Sequence, residues 1–175
     1  MNGSSVPSQQ PGQQGATRGA SASPAPDPAA AAALSGMLTV THAAVYAAGA
    51  AGGALAPFGP EAEQARALAR TAYTDHRRLR DDLVAAILAH GGTPPAAQPA
   101  YRLPIEPTGV TEALALLADI EDRSAVAAHE ALSALQGTDR ELAVDALVAM
   151  AMRAQRARLT AGLPLSQAMT ALPGA

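Results

Sequence analysis

Pro60–Gly92, PEAEQARALARTAYTDHRRLRDDLVAAILAHGG, carries both ends of a helix and a polar residue on its buried line. Gly59-Pro60 starts the helix where a missing N–H is harmless, and Glu61 and Glu63 suit the positive end of the helix dipole. His90-Gly91-Gly92 supplies the C-terminal glycine stop. Between these ends Leu68, Ala72, His76, Leu79, Leu83 and Ile87 recur at steps of three and four, so one face is apolar and His76 lies on it. The Arg77-Arg78 and Arg80-Asp81-Asp82 run mixes both signs and reads as a solvated face.

Three further segments have the same character. Asp27-Pro28 supplies an N-cap and a Pro in the first turn for a helix over 28–54. Thr111 is expected to cap a helix over 111–136, and Thr138-Asp139-Arg140-Glu141 to form a capping box for a helix over 139–161. No run alternates as a strand does, so the fold class is all-α. The expected organisation is a disordered Gly/Ser/Gln/Pro/Ala tail over 1–27, helices at 28–54, 60–90, 111–136 and 139–161 in one unit spanning 28–163, and a C-terminal tail over 164–175.

The first and last helix pairs are joined by short turns and so form antiparallel hairpins, whereas Gly91 to Val110 is a Pro-rich connection. A helix of about 25 residues is about 37 Å long, and an extended connection of that size covers the distance. One long crossover between two hairpins is the ferritin-like four-helix arrangement.

The third helix carries Leu114, Leu117, Glu121, Ser124, Ala128 and Leu135 on one stripe, which turns Glu121 inward and requires a partner for it. On the first helix either Thr41 or His42 points inward, because two stripes fit equally. On the fourth, Val148, Met152, Gln155 and Leu159 make one line and Leu142, Ala146, Ala149, Arg153 and Arg156 its neighbour, so Arg153 borders the core. Tyr46 and Tyr73 stand within a turn of His42 and His76 and suit hydrogen bonding or core filling.

Composition narrows the function classes. The hydrophobic fraction is 49% with only 2% aromatic, which means Ala, Leu and Val in closely packed helices. All twelve basic residues are Arg, and a net charge of −3 offers no basic face for nucleic acid. The absence of Cys removes disulfides, thiolate metal sites and Cys nucleophiles together. The N-terminal stretch has no apolar run of a secretory signal, which points to the cytoplasm. Residues 28–60 lack formal charge apart from His42, and Gly49 with Gly53 makes a GxxxG pattern. The stretch is too mildly apolar, and too interrupted by Ser35, Thr39, Thr41 and His42, to be expected in a membrane.

Thr41-His42-Ala43-Ala44-Val45-Tyr46, Ala72-Tyr73-Thr74-Asp75-His76-Arg77, the loop from Gly92-Thr93-Pro94-Pro95 to Ala100-Tyr101, Ile120-Glu121-Asp122 and the segment Arg153 to Arg158 together resemble the ferritin-like domain of unknown function 4439 over about Leu34 to Pro164. The resemblance implies a ferritin-like bundle without an assigned activity. Members of that family often carry Glu where this chain has Thr41, so the chain departs from its own family there. A ferritin-like di-iron site takes one Glu from each of two helices and a Glu-x-x-His pair from each of the others. Here the four slots hold Thr41, Tyr73-x-x-His76, Glu121 and Met150-x-x-Arg153. Arg153 puts a cation where a metal would bind, and repulsion at a few ångströms in a low-dielectric core amounts to several kcal/mol.

The expected core polar network is therefore His42, Tyr73, His76, Glu121 and Arg153 at degenerate di-metal positions, with Arg153 pairing Glu121 and no metal or other cofactor. The expected role is non-catalytic, a structural or interaction module that self-associates as a homo-oligomer, a dimer among the options, through an Ala/Gly-rich helix face. The alternative is a divergent oxidase-type protein binding iron or manganese through His42, His76 and Glu121. A small apolar ligand between thinly filled helices is a third reading.

Overall fold

The computed structural model describes Met1 and residues 26–169. The expected N-terminal tail lies, apart from its two ends, outside the described residues, as do the last residues of the C-terminal one. All secondary structure among the described residues is helical. It comprises α1 (Pro28–Ala54), a 3-10 turn (Pro60–Ala62), α2 (Glu63–Ala89), α3 (Val110–Ala131), α4 (Gly137–Thr160) and the short α5 (Leu165–Ala168). α1 packs chiefly on α2 and α3, and α3 on α4.

Local chemistry sets the helix ends. The Asp27 carboxylate accepts hydrogen bonds from the amides of Ala29 and Ala30, satisfying two of the orphan donors of α1. α2 closes in a left-handed turn at Gly91 (φ 72°), with Gly91 N–H donating to Leu88 O and Gly92 N–H to Ile87 O. Gly162 (φ 82°) ends α4 in the same way.

Two boundaries differ from expectation. α3 is capped by Gly109 rather than Thr111, and it stops at Ala131 instead of running to Gln136. The reason is packing: residues 132–136 leave the helix in tight turns that place Leu135 fully in the core, and the Arg140 guanidinium donates to the carbonyl of Leu132. The fourth helix starts from Gln136 with no side-chain cap, so the capping box at Thr138 does not form.

The core is two apolar clusters. One joins Ala44–Leu55 of α1 to Ala65–Ala72 of α2, Ala113–Ile120 of α3 and Ala157 of α4. The other joins Ala30–Leu38, Leu79–Ile87, Ala125–Leu135 and Ala143–Met150. Most buried apolar positions are Ala, which lets helix backbones approach closely and leaves little tolerance for added volume. α1 is the one described helix long and apolar enough to cross a membrane by length and composition; here Leu34, Leu38, Ala44 and Ala48 are buried among the other helices.

The connection from Gly91 to Gly109 lies against α1. His42 Nε2 is 3.1 Å from Pro95 O, the rings of Tyr46 and Tyr101 are 5.7 Å apart, and Leu103 and Ile105 pack on the first cluster. At the start of this connection a Cβ on Gly92 would lie 2.9 Å from Ile87 Cγ2 and 3.0 Å from Ala31 Cβ. Gly92→Ala is therefore expected to destabilise the protein by about 1–3 kcal/mol. Gly36→Ala, on an open face of α1, is expected to stabilise it by up to about 1 kcal/mol, both read from urea denaturation midpoints.

Candidate functional site

Between the two apolar clusters the long helices contribute a polar layer: Thr41 from α1, His76 from α2, Glu121 and Ser124 from α3 and Arg153 from α4. The period of each helix accounts for the layer, since these positions continue the buried lines through Leu38 and Ala44, Ala72 and Leu79, and Leu117 and Ser124.

Glu121 is the centre of this layer and is 1% exposed. Its two carboxylate oxygens accept from one guanidinium, Arg153 Nε at 2.7 Å and Nη2 at 2.9 Å, in the bidentate geometry that suits arginine. His76 Nε2 stands 3.2 Å from the second oxygen. The remaining face of the guanidinium is used as well, with Nη1 donating to Asp75 Oδ2 at 3.1 Å. Asp75, Arg153, Glu121 and His76 thus form one chain of contacts running from the half-exposed edge of α2 through α4 to α3 and back to the buried face of α2.

Electrostatics follow from these contacts. Burial pushes the Glu121 carboxyl up, but His76 and Arg153 together outweigh it and leave the group below its ordinary value. The neighbouring Asp122 goes the other way: burial raises it, and its ion pair with Arg158 offsets only part of that rise. His76 Nδ1 and the Ser124 hydroxyl are buried with no protein partner, whereas Thr41 donates to Met37 O at 2.8 Å within its own helix.

Of the five residues expected in the network, His76, Glu121 and Arg153 come together. His42 and Tyr73 do not. α1 turns Thr41 inward and His42 towards the 91–109 connection, and Tyr73 is 38% exposed with Arg77 over its ring. His90, at the end of α2, stands 2.7 Å from Asp139 and ties the end of α2 to the start of α4. Asp75 was not legible as a member, because it stands one residue off the buried line and acquires its partner only from where α4 lies. Arg153 sits beside the core line of α4, which is Ala143, Leu147, Met150, Ala154 and Ala157 rather than either line expected from the sequence.

A di-iron or di-manganese centre does not fit this donor set. Hard cations of this kind need several free carboxylates, yet both oxygens of Glu121 are already on a guanidinium, the half-exposed Asp75 accepts from the same guanidinium, and the layer adds one imidazole. Among the described residues no group of three or more His, Asp or Glu side chains is arranged to hold a metal ion. His42, His76 and Glu121 are not such a group.

The model of a family described as domain of unknown function (DUF4439) matches residues 33–175. The crystal structure of a conserved hypothetical protein, rv2844, from Mycobacterium tuberculosis is similar, with 30% sequence identity and a TM-score of 0.67 over 82% of this chain and 95% of that one. No curated protein matches the chain.

Removing one partner of the buried pair strands the other. Arg153→Met is expected to cost about 3–5 kcal/mol, and the double variant Glu121→Leu/Arg153→Met to recover most of that loss. Because the Glu121 pKa is lowered by folding, its contribution is complete above the ordinary value of 4.5 and is lost as pH falls through the folded one. Denaturation midpoints measured from pH 7 to pH 3 should show this acid-side loss in the wild type and not in the double variant.

Proposed function

The chain belongs to the family of domain of unknown function DUF4439, and from that premise we propose that it is a ferritin-like four-helix bundle serving as a cytoplasmic, non-catalytic interaction module. The observation that carries the reading is the Arg153 guanidinium on both oxygens of Glu121, an ion pair standing where a metal centre would need free carboxylates. The bundle topology is supported by the membership of the two apolar clusters. The starts of α2 and α3 share one cluster and their later halves share the other, so the 91–109 connection crosses the length of the helices.

The interaction surface is a stripe on α4. Val144, Val148, Met152 and Leu159 are 39–49% exposed and succeed one another at steps of four and seven along one face. Glu141 and Asp145 flank its first half and Arg156 its second, all exposed. Two copies of α4 packed antiparallel across a two-fold axis cover both stripes and set Asp145 of one copy opposite Arg156 of the other. A partner whose apolar face lacks this charge order would leave both groups unmatched, so a second copy of the chain is the occupant. The stripe differs from the Ala/Gly-rich face expected from sequence, because α4 offers larger apolar area outside the core.

Protein purified from cells replete in iron and manganese is expected to carry far less than one metal per chain by elemental analysis; stoichiometric metal would overturn the reading. An interface one helix wide is small, so the dimer should appear in sedimentation at about 10–100 µM protein. Met152→Glu is expected to abolish it. Asp145→Arg should weaken it and the Asp145→Arg/Arg156→Asp pair restore it, whereas a wild type that stays monomeric throughout this range would refute self-association.

A further inference from the structure

A cavity of about 460 Å³ opens between α1, α3 and the 91–109 connection, and neither Glu121 nor Arg153 lines it. Val40, Ala43 and Ala47 of α1, Ile120 of α3, and Leu103 and Pro104 of the connection give it apolar walls. Four side chains with polar groups line it as well, one of them Tyr101, whose hydroxyl accepts from the Gln98 amide. Ser124 is 3% exposed and its hydroxyl has no protein partner, an arrangement that costs free energy unless something else bonds it. Arg102 is exposed and has no partner among the described residues, while Arg123 shares its charge with Asp119 at 2.6 Å.

We propose that this cavity binds a small amphiphilic carboxylate, with its hydrocarbon body between α1 and α3 and its acidic head at the guanidinium groups of Arg102 and Arg123. Alanine and valine walls provide area without directional contacts, which suits a flexible aliphatic body. A guanidinium pairs a carboxylate through two parallel hydrogen bonds, so Arg102, uncommitted to any side chain of the protein, is the principal head-group anchor. Ser124 supplies a neutral hydroxyl on the wall. The volume suits a body of roughly ten carbons, at the lower end of small-molecule sites. A neutral alcohol of the same length shares the apolar contacts and lacks the charge, which makes it the reference ligand.

The test is titration of the full chain with sodium decanoate, below the concentration at which it forms micelles, and with decanol, followed by calorimetry or ligand-observed magnetic resonance. Decanoate is expected to bind one per chain. Arg102→Ala/Arg123→Ala, on exposed positions that do not support the core, should weaken decanoate about tenfold or more and leave decanol within about threefold. Ala43→Phe projects a ring into the cavity from a half-buried position and should abolish binding of both while the helical circular dichroism signal persists. Absence of decanoate binding at millimolar concentration, or decanoate binding unchanged in the double arginine variant, would overturn the assignment.

Discussion

A buried carboxylate held by a single guanidinium organises this protein. Glu121 is almost fully withdrawn from water, and its ionised form is tolerable there only because Arg153 bonds both oxygens and His76 stands against one of them. The bidentate contact demands that α3 and α4 keep one axial register, and the further bond from Arg153 to Asp75 extends that demand to α2. Ala-rich faces alone specify register weakly, since sliding one alanine surface past another changes little. The polar layer supplies the registration that the apolar clusters on either side of it lack.

Those clusters impose the opposite constraint. Their small side chains give close backbone approach and modest burial per residue, so stability must come from many thin contacts and well-formed helix ends. Two left-handed glycine closures and the Asp27 cap serve that purpose. Small side chains also leave space where α1 and α3 meet the long connection, and the proposed carboxylate site occupies it. On α4 the apolar residues run nearly all round the helix, so a core line and an exposed stripe coexist, and the proposed dimer uses the second.

Legibility of the site tracked how strongly each helix is patterned. α2 and α3 have one clear apolar face, and His76 and Glu121 could be placed on it from spacing alone. α1 is alanine and glycine on most sides, so spacing left Thr41 and His42 equivalent; packing against α2 and α3 chose Thr41. On α4 the true core line lies beyond the Arg153 line and away from Val148, Met152 and Leu159, which are exposed, yet Arg153 was near enough to reach Glu121 because its side chain is long. Asp75 and the turn over residues 132–136 had no local signal, being set by where α4 and Leu135 come to rest.

The amino-acid sequence by itself determined an all-helical chain, the approximate span of its helices, and the inward placement of His76 and Glu121. These follow from capping chemistry and from a period of 3.6 residues, which act within a few turns. Only the tertiary structure decided that Arg153 also reaches Asp75, that His42 and Tyr73 stand outside the layer, and that α4 leaves an apolar stripe uncovered. Each of these depends on the rotation and offset of one helix against another, which side-chain contacts between distant segments set and no local period encodes.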